Sequence, residues 1–410
     1  MSSRDSIFRG IGLRAQQTIF EIFLSIALLL FLSMPVLAQK ISIGEQIELR
    51  YISITQASST TITSSDDFFT HKARVYLGGQ LGDNMKAFFK AQTSGQWGDY
   101  TDLWVENAYI NFRAFSIPKL NTSADFTIGR QPLLYGDGLL LNDDDTGVNC
   151  VKIGIFAPFN TECDIFLVRQ LEGPENGDFD IYGIVPRIYL TGHTITGAFI
   201  AEDDRSKVAF PEANSLKMIG DLRWEGNIGG VDFHGEAAKQ FGNVSEGKTA
   251  TLTYNALAYL VGAEMKGKMS TIGDVKFGVD WLVADGNRGD DGRTFASTLS
   301  HLDEEDWGEY FMVNPSTGFQ SCKPGNLVIL KWTLSTRFAK RWVVGLNLFN
   351  YREEEIRQNE LGNEWDIFGK YDMSPYSTLR LAFTLFHPQE AFQADWTTAR
   401  KILFEMSTEF

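Results

Sequence analysis

Cysteine is scarce: Cys150, Cys163 and Cys322 are the only three in 410 residues. Three thiols cannot all pair, and their spacing fits no zinc framework. Proline is scarce too, at 11 residues. No Pro- or Ser-rich linker, charge block or composition break divides the chain into soluble domains. Beyond Ala38 no apolar run approaches the ~20 residues of a spanning helix. Basic charge is short, with 37 Lys and Arg against 52 Asp and Glu and a net charge of −15. That excludes nucleic acid as a partner, since phosphate binding needs a concentrated basic surface. Of five histidines (His71, His193, His234, His301, His387), none lies in a G-x-S-x-G or other nucleophile motif. The chain is therefore not expected to be an enzyme, and no cofactor or metal site is expected.

What is present begins with an address. Arg4, Arg9 and Arg14 form a basic n-region, Ile22 to Leu32 is apolar apart from Ser25, and Val36-Leu37-Ala38 precedes Gln39. That order describes a signal peptide over 1–38 with cleavage before Gln39, in preference to a membrane anchor. From 39 to 410 the chain is rich in Gly (38) and Phe (31), spread along many short segments. Period-2 alternation runs through them. Val328, Leu330, Trp332 and Leu334 oppose Lys331, Thr333, Ser335 and Arg337; Leu379, Leu381, Phe383 and Leu385 oppose Arg380, Ala382 and Thr384. The same pattern runs through 257–266, 275–283 and 341–348.

A soluble sandwich also alternates, so the connections decide. The pattern predicts about eighteen strands (sixteen is the alternative count): 41–56, 70–81, 85–93, 102–114, 123–134, 147–158, 162–171, 180–190, 193–202, 215–226, 230–241, 253–266, 271–284, 326–338, 341–351, 364–373, 377–386 and 399–410. Even-numbered connections are mostly short, such as Gly82-Asp83-Asn84 and Ala339-Lys340; odd-numbered ones are mostly longer and polar, the longest spanning 285–325. Short periplasmic turns alternating with long external loops describe a transmembrane antiparallel β-barrel of the bacterial outer membrane. In lipid every backbone N–H and C=O needs a partner, and a closed sheet supplies one without a free edge. The final segment agrees: Ile402, Phe404, Met406, Thr408 and Phe410 alternate with Leu403, Glu405, Ser407 and Glu409. Such an aromatic-ended strand is similar to the signal that the outer-membrane assembly machinery reads. Lipid and that machinery are thus expected partners.

One segment carries a family likeness. Gly129-Arg130-Gln131-Pro132-Leu133-Leu134-Tyr135-Gly136-Asp137 resembles the hallmark of the alginate-export family of outer-membrane porins, and Glu106-Asn107-Ala108-Tyr109-Ile110 looks like the strand before it. The run after Asp137, Gly138-Leu139-Leu140-Leu141, departs from that pattern. The resemblance implies a large, monomeric barrel that passes hydrophilic solutes. From the residues themselves, Arg130 offers a guanidinium fork and Asp137 a carboxylate at the start of a loop. These suit a lumen-facing pair that pins the loop, or a contact for an anionic or hydroxylated solute.

Alternation places Lys217, Arg223, Lys276, Lys331, Arg337, Arg341, Arg380 and Lys401 inward, with Asp221, Asp232, Glu236, Glu264, Asp280 and Glu405 on the same face. A polyanion pore needs a clear cationic excess. Here the signs mix, as in charge pairing that keeps a wide barrel rigid, with a basic tilt late in the chain. Trp104, Trp281, Trp332 and Trp342 are expected outward as interfacial girdle residues. The acidic runs Asp285–Asp291 and Asp143–Asp145 read as solvated loops rather than calcium sites, because Arg288 intrudes and the closing glutamate is missing. Cys150 and Cys322 are the only pair whose placement allows a disulfide; the competing reading leaves three free thiols.

The expected function is a passive channel for hydrophilic, anionic or sugar-like solutes. The alternatives are an adhesive or structural barrel whose acidic external loops bind partners, and a barrel hydrolase.

Overall fold

The computed structural model describes residues 40–57, 63–98, 101–136, 139–173, 177–205, 213–246, 250–269, 273–286, 295, 307–311, 325–354, 360–389 and 397–410. The expected signal peptide, Asp137, His301, Cys322 and most of the acidic 285–291 run lie outside the described residues.

Eighteen strands form one closed antiparallel sheet. They are β1 (Lys40–Ala57), β2 (Thr63–Gln80), β3 (Met85–Gln96), β4 (Thr101–Ile117), β5 (Thr122–Tyr135), β6 (Leu141–Ala157), β7 (Thr161–Gly173), β8 (Gly177–Leu190) and β9 (His193–Asp204), then β10 (Ala213–Ile228), β11 (Val231–Glu246), β12 (Ala250–Met269), β13 (Gly273–Ala284), β14 (Leu327–Phe338), β15 (Trp342–Arg352), β16 (Glu360–Ser374), β17 (Ser377–Pro388) and β18 (Ala399–Glu409). Each strand pairs with the next, and β18 returns to β1 with Gln46 opposite Glu409 and Thr55 opposite Arg400. Phe410 N–H donates to Glu45 O at 2.8 Å, and Phe410 O accepts the return bond from Glu45 N–H at 3.1 Å. The barrel expected from the alternation is the fold observed.

Several strands run further than the pattern suggested. β2 begins at Thr63, β6 at Leu141, and β11 extends to Glu246. The alternation lapses there into polar residues, as in Asn142-Asp143-Asp144-Asp145. Backbone pairing needs no apolar face, so the ladder continues where the apolar signal stops, and Asp143, expected in a solvated loop, is buried in β6 opposite Leu133. At the opposite end the turns are tight. Ala339 and Lys340 adopt φ of 49° and 63°, the left-handed pair that reverses a two-residue hairpin.

Outward rows are apolar and exposed: Leu334, Leu381, Trp281, Trp332, Trp342 and Trp365 all lie in this belt. Aromatic clusters mark both rims. Tyr51, Phe69 and Trp97 gather at the long-loop end, with centroids 5.0 and 5.2 Å apart. Phe338, Trp342 and Tyr371 gather at the other, at 6.3 and 4.5 Å. Such girdles bracket a lipid belt. Trp104 is not among them. The ladder between β3 and β4 shifts register at Lys90/Ala91, and beyond it Trp104 stands opposite the buried Gln92. The extra residue is Glu106, and this bulge turns Trp104 inward.

Candidate functional site: the lumen and its inward segments

Inward side chains of β10–β17 line a lumenal cavity of about 950 Å³. Four of the basic residues expected there meet in it, Arg223, Lys276, Lys331 and Arg380, with the acidic Asp232, Glu264 and Asp280. Each has an acidic neighbour. Arg223 pairs with Glu225, and Lys276 Nζ lies 2.5 Å from Glu264. Lys331 lies 3.9 Å from Asp280, and Arg380 pairs with Glu309. His234 Nε2 sits 3.2 Å from Asp280, a contact within the wall. The mixed signs read in the sequence are therefore arranged as pairs: two across neighbouring strands, one along β10 and one between β17 and Glu309 of the β13–β14 connection.

The other expected residues are placed differently. Arg337 shares the inward row but ends at the short-turn rim, paired with Asp372 at 3.0 Å. Arg341 belongs to the turn after β14 and is exposed, so it does not line the path. Arg130 stands opposite Ala108 and Asn149. That is the row of the exposed Ile110, Ile128 and Val151, so Arg130 leaves the lumenal row to which it was assigned. Its motif neighbours have clear structural work. Tyr135 Oη donates to Asp164 Oδ2 at 2.9 Å and stacks on Phe166 at 5.3 Å. Gln131 Nε2 donates to Cys150 O at 3.1 Å. Gly136, at φ 79°, lies so near the Glu236 carboxylate of β11 that a Cβ would overlap it. The end of β5 thus crosses the lumen, and the following Leu139, Leu140 and Leu141 are fully buried.

A second segment enters from the longest connection, between β13 and β14. It was expected to be external, but Trp307–Phe311 are buried within the barrel. The wall holds them by several routes. Tyr310 and Phe311 N–H donate to Glu364 Oε1 and Oε2 at 2.9 and 2.8 Å. Tyr351 Oη donates to Trp307 O at 2.9 Å, and Phe311 stacks on Tyr351 with centroids 4.1 Å apart. Lys331 Nζ lies 5.6 Å from the Trp307 ring centre. Glu309 fits between Arg380 and Lys401, the latter 3.0 Å away, and Lys401 also donates to Glu309 O at 2.6 Å. Burial alone would raise the Glu309 carboxyl, but the Lys401 and Arg380 charges hold it below its usual range.

Glu309 and Glu364 were missed by sequence reasoning. Glu364-Trp365-Asp366-Ile367 alternates and could have placed Glu364 and Asp366 inward. Glu309 lies in irregular chain, where no period exists to read.

Cys150 is buried in mid-strand and faces inward, opposite Val168 on β7. Among the described residues it is a free thiol, as is Cys163; the expected partner Cys322 lies outside them. The expectation placed Cys150 at a strand end because β6 was read as starting six residues late.

No protein-family profile and no curated protein matches the chain by sequence. Solved structures do match by shape. Pseudomonas aeruginosa OccD3 (OpdP) superposes with a TM-score of 0.60 at 10% identity, covering 91% of this chain and 92% of that one. P. aeruginosa OccK8 (OprE) gives 0.55 at 8%, covering 90% and 98%, and OccK11 (OpdR) gives 0.54 at 10%, covering 90% and 96%. The chain has the outer-membrane porin fold. These porins are channel proteins rather than enzymes. With that fold and an apolar belt between aromatic rims, the porin-like barrel is an outer-membrane protein.

Proposed function

We propose that this protein is a passive diffusion channel of the outer membrane for hydrophilic solutes, with anionic and sugar-like molecules as its class. One observation carries the reading: paired charged side chains, including Arg223, Lys276, Lys331 and Arg380, face a cavity of about 950 Å³ inside a closed barrel. Polar walls in a wide barrel stabilise a water column, and two inward segments narrow it, which supports selection by size and charge. Kinship to the alginate-export porins draws support from the motif through Tyr135 and Gly136, and from an eighteen-strand wall. In this reading residues 1–38 direct export, the β18 strand ending at Phe410 engages the assembly machinery, and the barrel works as a monomer.

Planar bilayers test it. Purified protein should give discrete conductance steps, and liposome swelling should proceed with small sugars and uronates. A barrel that inserts yet gives neither would overturn the channel reading in favour of a structural or adhesive barrel.

A further inference from the structure

At the short-turn mouth of the barrel a cavity of about 620 Å³ opens between the β4–β5 and β6–β7 turns. It shares no lining residue with the charged cavity of β10–β17. The strand register builds it. Ser116 stands opposite Ser123, and Ser123 opposite Phe156. Phe156 stands opposite Glu162, and Glu162 opposite Arg187. Val151 and Ile165 lie on the exposed apolar face of the same strands, so alternation turns Phe156 and Glu162 to the lumen.

Phe156 brings a bare ring into this space. It is 41% exposed although it faces the lumen rather than lipid. Its neighbour across the ladder to β5 is the short Ser123. Along β6 the next inward residue is Gly154, where a Cβ would lie 3.9 Å from Phe156 Cε2. The ring thus leans over a position that has no side chain, and no second ring stacks on it among the described residues. Covering such a ring with another apolar surface releases water and is favourable.

The charges around it are balanced. Arg113 Nε donates to Asp125 Oδ1 at 3.1 Å, on the next rung up. Arg187 Nη1 donates to Glu162 Oε2 at 3.1 Å, and Tyr189 Oη to the same oxygen at 2.8 Å. Neutral polar groups, by contrast, are left over. Asn121 and Asn160 take left-handed φ of 48° and 53° in their turns, a conformation asparagine tolerates. The turns use their backbones, as when Tyr189 N–H donates to Asn160 O at 2.9 Å. Their side-chain amides, and the hydroxyls of Ser116 and Ser123, make no hydrogen bond among the described residues, and all four line the cavity. An anion would ask for a cation without a partner. A purely apolar ligand would leave the amides and hydroxyls unmet. A neutral sugar matches both features, with a C–H face to lie on a ring and hydroxyls to meet the polar rim.

We propose that the short-turn mouth holds a binding site for neutral saccharides, with Phe156 under the C–H face and Ser116, Ser123, Asn121 and Asn160 meeting the hydroxyls. The site deepens the sugar arm of the channel reading and rests on it only for its part in transport, because binding itself needs no current.

Maltose is the probe, and glucose with glucuronate is the matched pair that tests charge. Saturation-transfer NMR on the folded barrel in an amine-oxide detergent, which carries no sugar, should show maltose binding with the strongest transfer to its ring C–H protons. Glucuronate should bind no more tightly than glucose, and maltose should lower the ion current in planar bilayers as its concentration rises. Phe156→Leu keeps the apolar bulk and removes the ring, and maltose affinity should fall about fivefold. Asn121→Gly combined with Asn160→Gly keeps the left-handed turns and removes both amides, and affinity should again fall severalfold. Circular dichroism checks that each variant folds; should one fail, the other decides. Maltose binding that weakens in these variants while the parent gives no conductance steps would sink the channel reading and keep the site. No maltose binding by the parent, binding unchanged in the folded variants, or glucuronate binding well above glucose would each overturn the site, whatever the currents show.

Discussion

The backbone N–H of Phe311 donates to Glu364 Oε2 at 2.8 Å, joining a loop residue to a wall residue 53 positions away. A loop buried in the lumen must find partners for its own backbone, because an orphaned N–H there costs as much as a lost hydrogen bond. Glu364 supplies them with both oxygens, and Glu309 adds a charge held between Arg380 and Lys401. Residues 307–311 are therefore clasped twice, through Tyr310 and Phe311 and through the adjoining Glu309.

The second clasp can be removed singly. Glu309→Gln leaves Arg380 and Lys401, both nearly buried, without their shared counter-charge. Breaking one partner of such a network destabilises by about 3–5 kcal/mol. Single-channel recording should then show a larger and noisier open state. An unchanged conductance would mean that the segment does not narrow the path.

The same carboxylate sets a pH dependence. Its folded-state pKa lies below the ordinary value, so its contribution is fully present above the unfolded pKa and is lost as pH falls through the folded one. The conductance step that belongs to Glu309 should appear only below the usual carboxylate range. In Glu309→Gln this acid step should vanish. A step that persists in the variant would assign it to another group.

Gly308 offers a steric test. Its φ is 125°, and a Cβ there would overlap Tyr351 Oη. Gly308→Ala should therefore loosen the segment by about 1–3 kcal/mol, the usual cost of such strain. Limited proteolysis of inserted protein should detect this as faster cleavage between β13 and β14. Gly369→Ala, where a Cβ meets nothing within 4 Å, is the matched control and should cleave like the parent.

Orientation can be read on intact cells. An epitope placed between Arg205 and Ala213, in the β9–β10 connection, should label from outside. One at the Ala339–Lys340 turn should stay hidden until the outer membrane is permeabilised. Reversed labelling would invert the barrel in the membrane.

Much of this architecture was legible because a strand between lipid and water writes its faces into every second residue. Trp332 and Lys331 could be sorted that way, as could Leu381 and Arg380. The failures share one cause, which is loss of period. A single bulge at Glu106 reversed Trp104, and rungs above the lipid are polar on both faces, which hid the first turns of β2 and β6. Arg130 was judged by its motif rather than its row, and the ladder carries it outward. Glu309 sits where no repeat exists.

The seam between β1 and β18 has a kinetic meaning. Every other ladder joins strands that follow one another in the chain and can zip as local hairpins, while this one joins Gln46 to Glu409. Loop-closure entropy for so distant a contact is met last. Until then the wall is a ribbon with two raw edges, each able to recruit a foreign strand. Growth of this barrel is thus a race between its own final stitch and capture by a neighbour, and the reciprocal bonds of Phe410 with Glu45 are the knot that ends it.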